Sequence, residues 1–248
     1  MKIGIIGTGN IGKTLVRKLT KAGRTVQMAN SRGPETLKEL AAETGATALS
    51  AQEAVQGVEV IILSVNPTSF PQIKELLAAV PDETVVLDTF NYHPRRDGKI
   101  DALEAGQVES LWATEQLGRS VVKVWNTITS QSFEEKGKPK GSPDRIALPV
   151  AADKETDRQI GMKLVEDTGF DAFDAGTLAE SWRLQPGSPV YCTDLTLEAL
   201  PAALASAERE RLPKRRELTW DVFQERAGDD LMELDPKYVV RVHRALFM

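Results

Sequence analysis

A doubly wound α/β domain with a mainly parallel sheet, carrying a C-terminal helical segment, is the fold class that the sequence predicts. Three observations predict it. Short β-branched runs alternate with helical patterns through the first half of the chain. The earliest of those runs leads straight into a glycine-rich turn that opens a helix. From residue 177 onward the strand pattern vanishes and only helical patterns remain.

Taken in order, the strands are expected at 2–7, 25–30, 58–65 and 84–89. Their near-continuous apolar character suits strands covered by helices on both faces. Helices are expected at about 10–22, 35–44 and 70–79. Gly23 and Gly45 stand just past two of them, where a left-handed residue ends a helix, and Pro34 and Pro71 stand near the starts of the other two. Further on, a helical stretch at 112–117 precedes a strand at 120–126. A Gly/Pro/Lys-rich loop at 136–144 leads to a strand at 145–152. A helix at 154–168 and a strand at 170–176 are then expected to complete the sheet. This divides the chain into a nucleotide-binding domain, 1–176, and a helical segment, 177–248, whose two or three helices are separated by Pro213, Gly228 and Pro236.

The composition narrows the function. With 248 residues and a net charge of −5, the chain can bury a sizeable core and lacks the basic surplus of a nucleic-acid binder. No stretch approaches the roughly 20 apolar residues of a membrane span, and no signal peptide is evident, so it reads as cytoplasmic. Cys192 is the only cysteine, and with His93 and His243 it offers too few ligands for a Cys/His metal site.

The turn Gly7-Thr8-Gly9-Asn10-Ile11-Gly12 gives each glycine a mechanical reason. Gly7 permits a tight turn, Gly9 lets backbone approach a pyrophosphate, and Gly12 allows close packing of helix on strand. This is the Rossmann arrangement, in which N–H groups at the helix start hold phosphates. An acidic residue at the end of the second strand would bind the adenine ribose of NAD and repel the phosphate of NADP. The chain instead reaches Asn30-Ser31-Arg32. Arg32 supplies a planar, charge-assisted grip for a phosphate and Ser31 a hydroxyl donor, with Lys38 one turn further on as an auxiliary. NADP(H) is the expected cofactor, a solvated surface arginine being the bland alternative.

Five segments then carry a family resemblance: Gly-Thr-Gly-Asn-Ile-Gly, Asn30-Ser31-Arg32, Leu63-Ser64-Val65, 123-KVWNTI-128, and Asp174 to Leu178. Over about residues 1–185 the chain resembles the NADP-dependent oxidoreductases that use the deazaflavin coenzyme F-420. The wider group includes the cytosolic domains of the six-transmembrane epithelial antigen metalloreductases. The resemblance implies that Thr8, Gly9, Asn10 and Ile11 hold the pyrophosphate and that Ser31 and Arg32 hold the 2′-phosphate. It implies that Ser64, Val65 and Asn66 follow the cofactor toward its nicotinamide, and that Asn126, Thr127 and Ile128 lie by that ring. The chain departs from the deazaflavin reductases in its shorter glycine turn, in Asn126, and in a longer, more charged C-terminus, which leaves the second substrate open between F-420 and a flavin.

Hydride transfer between two planar rings needs apposition in a dry cleft and little proton chemistry, so no certain catalytic side chain is expected. Lys163, followed by Glu166 and Asp167, fits poorly the lysine and later asparagine of a β-hydroxyacid dehydrogenase. In the loop after the fourth strand, Thr89 and Asn91 can hydrogen-bond a ribose or carboxamide. Arg95 and Arg96 can anchor an acidic substrate or can simply be solvated, and His93 reads as a loop histidine without a catalytic role. Trp182 and Arg183 are candidates for the cleft wall, Cys192 reads as a small buried group, and 208–217 as a solvated helix face. The expected function is hydride transfer between NADP(H) and F-420 or a flavin. A small-carbonyl or imine reductase and a non-catalytic NADP(H) sensor are the alternatives. A homodimer is expected, because the charged C-terminal helices need a surface to pack on.

Overall fold

The computed structural model describes residues 1–228, 230 and 234–248. Its main sheet has six strands: β1 (Lys2–Ile6), β2 (Thr25–Ala29), β3 (Thr47–Ala48), β4 (Val60–Leu63), β5 (Val85–Asp88) and β6 (Val122–Lys123). They lie in the order β3-β2-β1-β4-β5-β6, and each neighbouring pair is parallel. The chain order reverses between β1 and β4, so a crevice opens there at the carboxyl ends of the strands, where such sheets bind ligands. The fold class read from the sequence is the one observed.

Alternation along the buried strands feeds two cores. Val60 and Ile62 face the layer containing Leu15, Val16, Trp125 and Phe133. Ile61 and Leu63 face the layer containing Phe70, Phe90 and Trp112. Both layers are apolar because helices cover both faces. α1 (Asn10–Lys21) and α2 (Lys38–Thr44), the latter entered by a 3₁₀ turn at Pro34–Leu37, are followed by α3 (Ala51–Ala54), which Ser50 and Glu53 start with a reciprocal capping box. Gly45 ends α2 in the left-handed region (φ 76°), as expected. After β4 come α4 (Phe70–Leu77), α5 (Pro94–Asp97), α6 (Asp101–Glu104) and α7 (Glu109–Leu117). β3 and α3 have too few residues to show a period in the sequence.

The last two expected strands do not complete the sheet. β7 (Ala147–Val150) and β8 (Asp171–Asp174) form their own two-stranded parallel sheet, bracketing α9 (Glu155–Asp167); α8 (Ser130–Glu135) precedes them. β7 touches the main sheet through a single antiparallel bridge, in which Lys123 and Ala151 exchange both backbone hydrogen bonds (2.8 and 3.1 Å). β6 is short because the left-handed backbone at Trp125 (φ 56°) turns the chain out of the sheet. The lysine-rich loop at 136–144 is tied down: Lys138 N donates to Gly169 O, and the Arg145 guanidinium donates to Lys138 O, Glu166 and Asp171.

Beyond residue 177 the chain forms a 3₁₀ segment, Leu178–Leu184, then α10 (Leu200–Ala205), α11 (Leu212–Ala227) and α12 (Pro236–Phe247). Pro213 lies in the first turn of α11 rather than between helices, where its missing N–H costs nothing. This segment packs on the chain's own sheet edge: Leu184 O accepts from Asn126 Nδ2 (2.9 Å), Cys192 N donates to Thr127 O (2.9 Å), and Ala147 N donates to Leu195 O (2.8 Å).

Candidate functional site

Gly7 (φ 97°) turns the chain at the end of β1 and donates its N–H to Ala29 O (2.9 Å). A Cβ at Gly7 would stand 2.1 Å from Ser64 O, and one at Gly12 would stand 2.0 Å from Gly7 O, so both positions require glycine for packing. At Gly9 a Cβ would meet nothing within 4 Å. The space over Gly9 is open, as a ligand's phosphate requires. Gly9 caps α1 without a side-chain hydrogen bond, and no acidic residue stands in the first turn. The N–H groups at the start of α1 therefore lack a side-chain acceptor and suit an anion. Thr8 is buried, Asn10 exposed and Ile11 half-buried along this turn, and a cavity of about 360 Å³ lies between Asn10, Lys13 and Arg17 of α1 and Ser130 and Glu134 of α8.

Asn30 organises the neighbouring turn. Its Nδ2 donates to Thr8 Oγ1 (3.2 Å) and Thr36 Oγ1 (2.9 Å), while its Oδ1 accepts from Arg32 N (2.9 Å). This is an Asx turn that ties the Ser31–Arg32 backbone to the glycine loop. Ser31 and Arg32 are exposed, and the Arg32 guanidinium makes no ion pair among the described residues. Lys38 is engaged by Glu35, which removes it as a free auxiliary cation. The group that the sequence implies, a dinucleotide with a 2′-phosphate, fits these residues: open space over Gly9, uncapped N–H donors, no carboxylate at the strand end, and an unpaired guanidinium.

Across the switch point, Ser64 donates its N–H to Ile6 O (2.8 Å), Val65 is half-buried, and Asn66 is exposed. Thr89 turns its hydroxyl back to Leu63 O (3.2 Å). Asn91 and Asn126 form a reciprocal pair: Asn91 Nδ2 donates to Asn126 O (2.7 Å) and Asn126 Nδ2 donates to Asn91 Oδ1 (3.1 Å). Asn126 Oδ1 is buried without a partner among the described residues. Thr127 and Ile128 are buried, the latter in the core under the sheet. The structure thus gathers Asn91, Asn126 and Thr127 at one end of the crevice and Ser31 and Arg32 at the other.

Arg95 and Arg96 are spent internally. Arg95 pairs with Glu217 (3.0 Å) and Asp221 (2.6 Å) of α11, and Arg96 binds Asn91 O (2.6 Å) and Asp97. Arg183 stacks on Trp182 at 4.2 Å and pairs with Glu180. Cys192 is buried, and that burial pushes its thiol up.

Sequence reading missed the cluster around His93. Trp220 Nε1 donates to His93 Nδ1 (3.0 Å), and His93 Nε2 lies 3.1 Å from Tyr191 Oη. Burial, helped by the charge of Arg96, lowers His93 to about 3, so it is neutral. Nδ1 accepts, so Nε2 carries the hydrogen and donates to Tyr191. His243 packs edge-on against Tyr191 at 5.7 Å and is lowered by burial to about 4. Glu109, sealed below Tyr92, is raised by burial to about 7 despite nearby Lys123. Lys123 and Asp88 form a buried pair at 2.5 Å. These partners lie far apart in sequence, 98 and 127 residues for the His93 contacts, so no local signal exposed them.

Fold, glycine turn and acid-free second strand together are those of a Rossmann-type dinucleotide-binding chain. Residues 2–92 match the family described as NADP oxidoreductase, coenzyme F420-dependent, and the resemblance read from the sequence holds over that segment. The Escherichia coli K12 protein YjhV is 47% identical over 79 residues, spanning 30% of this chain and 58% of that protein, so the match covers little more than half of the relative. A hypothetical protein, SMa0349, from Sinorhizobium meliloti has a similar structure, with a TM-score of 0.67 and 27% identity over 79% of this chain and 95% of its own. A candidate F420-dependent NADP-reductase from Arthrobacter sp. FB24 shares the fold at a TM-score of 0.58 and 18% identity, covering 90% of this chain and 94% of that one.

Proposed function

We propose that the chain is an NADP(H)-dependent oxidoreductase in which the Ser31–Arg32 turn holds the 2′-phosphate. The observation that carries this reading is that turn: Asn30 fixes its backbone, no carboxylate is present in it, and the Arg32 guanidinium has no ion-pair partner among the described residues. Thr8, Gly9, Asn10, Ile11 and the packing glycines Gly7 and Gly12 would hold the pyrophosphate. Ser64, Val65 and Asn66, with Thr89 and Asn91, would line the path toward Asn126, Thr127 and Ile128. NADP(H) supplies or accepts the hydride when bound. The chain's own part is to orient it: the paired amides of Asn91 and Asn126 fix the far end of the crevice, and the C-terminal segment excludes water from it.

The hydride partner in this reading is a second redox cofactor, coenzyme F-420 first and a flavin second; the family match over residues 2–92 supports that choice. A second reading, reduction of a small carbonyl or imine, is favoured by one observation: Arg95 and Arg96 are already paired, so neither guanidinium is free for an acidic cofactor tail. Monitoring NADPH consumption with F-420, flavins, ferric chelates and a set of ketones and imines decides between them. Turnover with F-420 or a flavin supports the first reading, and turnover confined to carbonyls or imines replaces it with the second. Tight NADPH binding without turnover by any acceptor would make the chain a sensor.

A further inference from the structure

Three ionisable side chains are buried beneath the loop that carries Asn91: Asp88 at the end of β5, Lys123 of β6, and Glu109, the first residue of α7. Each is no more than 2% exposed. Burying charge is no route to stability, because desolvation offsets the attraction between the charges. What these groups do is fix the path of the loop. Lys123 Nζ bonds Asp88 Oδ2 and donates to Phe90 O (2.7 Å), and Phe90 N donates to Asp88 Oδ1 (3.0 Å). Tyr92 N donates to Glu109 Oε2 (3.2 Å). Asn91 is thus gripped at the residue before it and at the residue after it.

Glu109 also reaches the other half of the amide pair. Its N–H donates to Gln185 Oε1 (3.1 Å), and the residue before Gln185, Leu184, offers the carbonyl that accepts from Asn126 Nδ2 (2.9 Å). One residue therefore braces Asn91 through Tyr92 and Asn126 through Gln185 and Leu184. We propose, on the reading of this crevice as an NADP(H) site, that Glu109 is a positioning residue for its nicotinamide end, holding the Asn91–Asn126 pair in the one arrangement that receives the ring. The charge on Glu109 matters to this grip, since an ionised acceptor holds an amide N–H more strongly than a neutral one. Asp88, Arg96, Lys123, Tyr191 and Arg216 act on the carboxylate, and Arg209 lines the small cavity beside it. Burial outweighs them and raises it to about 7, so it gains and loses its charge within an ordinary buffer range. Below that value Tyr92 N keeps only a neutral acceptor and the loop slackens. NADPH affinity should therefore rise with pH through about 7, by way of the nicotinamide half alone.

Titration of the whole chain with NADPH and with 2′-phospho-ADP-ribose, the same dinucleotide without its nicotinamide, tests this. The phosphates are shared, so their own titration cancels in the ratio of the two affinities. We expect that ratio to rise about fivefold between about pH 6 and about pH 8 in the wild type. Glu109→Gln keeps an acceptor of the same shape but no charge, so its ratio should stay near the wild type's low-pH value throughout. A change that only loosened the fold would weaken both ligands alike and leave the ratio as it was. Should Glu109→Gln melt too low for titration, Gln185→Ala cuts the second brace and should lower the ratio about threefold at every pH while keeping its slope. A flat wild-type ratio, a Glu109→Gln ratio that still follows pH, or an unchanged ratio in Gln185→Ala overturns the proposal. If 2′-phospho-ADP-ribose itself does not bind, the NADP(H) reading of the crevice falls and takes the proposal with it. If it binds and only the ratio fails, that reading stands and the positioning role is lost.

Discussion

Asn30 accounts for more of the crevice's order than its size suggests, because one amide joins Thr8, Thr36 and the Arg32 backbone. Asn30→Ala leaves these groups to water, with an expected stability loss of about 1 kcal/mol. NADPH affinity should fall about tenfold as the turn loosens; a chemical melt and a parallel cofactor titration check both. The buried titratable residues set a pH dependence whose sign can be worked out. His93 and His243 are lowered from 6.5 to about 3 and about 4, so the unfolded chain takes up protons that the folded chain refuses. Their contribution is complete above pH 6.5 and is lost toward the folded values, at no more than about 1.4 kcal/mol per pH unit for each histidine. Glu109, raised from 4.5 to about 7, acts oppositely, weakening the fold as pH rises through that window. Two groups outweigh one between pH 4.5 and 6.5, so denaturant midpoints should rise with pH across it; midpoints that fall would refute the assignment.

At the scale of elements, α1 opens with two glycines three residues apart that differ in packing: one is hemmed in and the other, in the proposed function, faces the phosphates. Gly12→Ala drives a Cβ to 2.0 Å from Gly7 O and should cost about 1–3 kcal/mol. Gly9→Ala meets nothing within 4 Å, so melting should be unchanged while dinucleotide affinity drops sharply. If Gly9→Ala binds as well as the wild type, the loop does not face a phosphate. The packing role of Gly12 was legible in the sequence because strand, turn and helix are contiguous, and so was the acid-free end of β2. The separation of β7 and β8 from the main sheet was not, because their apolar runs resemble those of sheet strands and only the tertiary bridge at Ala151 distinguishes them. Likewise Arg95 and Arg96 read as free cations until α11 and the Asn91 carbonyl are seen beside them.

In the whole molecule, the segment after residue 177 closes the carboxyl edge of the sheet. Leu184, Val190, Leu195 and Leu200 form an apolar cluster with Ala147 and Ala151 of the β7 strand region, and Gln185 accepts from Glu109 N (3.1 Å). The two expected domains should therefore unfold as one cooperative unit, and a chain cut after residue 176 should lose that cooperativity by calorimetry. The sequence showed a helical segment there but not its partners, since Asn126–Leu184 and Glu109–Gln185 join residues 58 and 76 positions apart. In the proposed function the whole arrangement would select a phosphorylated dinucleotide. The most direct test titrates the intact protein and its Arg32→Glu variant with NADPH and NADH. We expect the wild type to prefer NADPH by tenfold or more, about 1.4 kcal/mol, and the variant to lose that preference. Equal affinity of the wild type for both coenzymes, or an unaltered preference in the variant, would contradict the account.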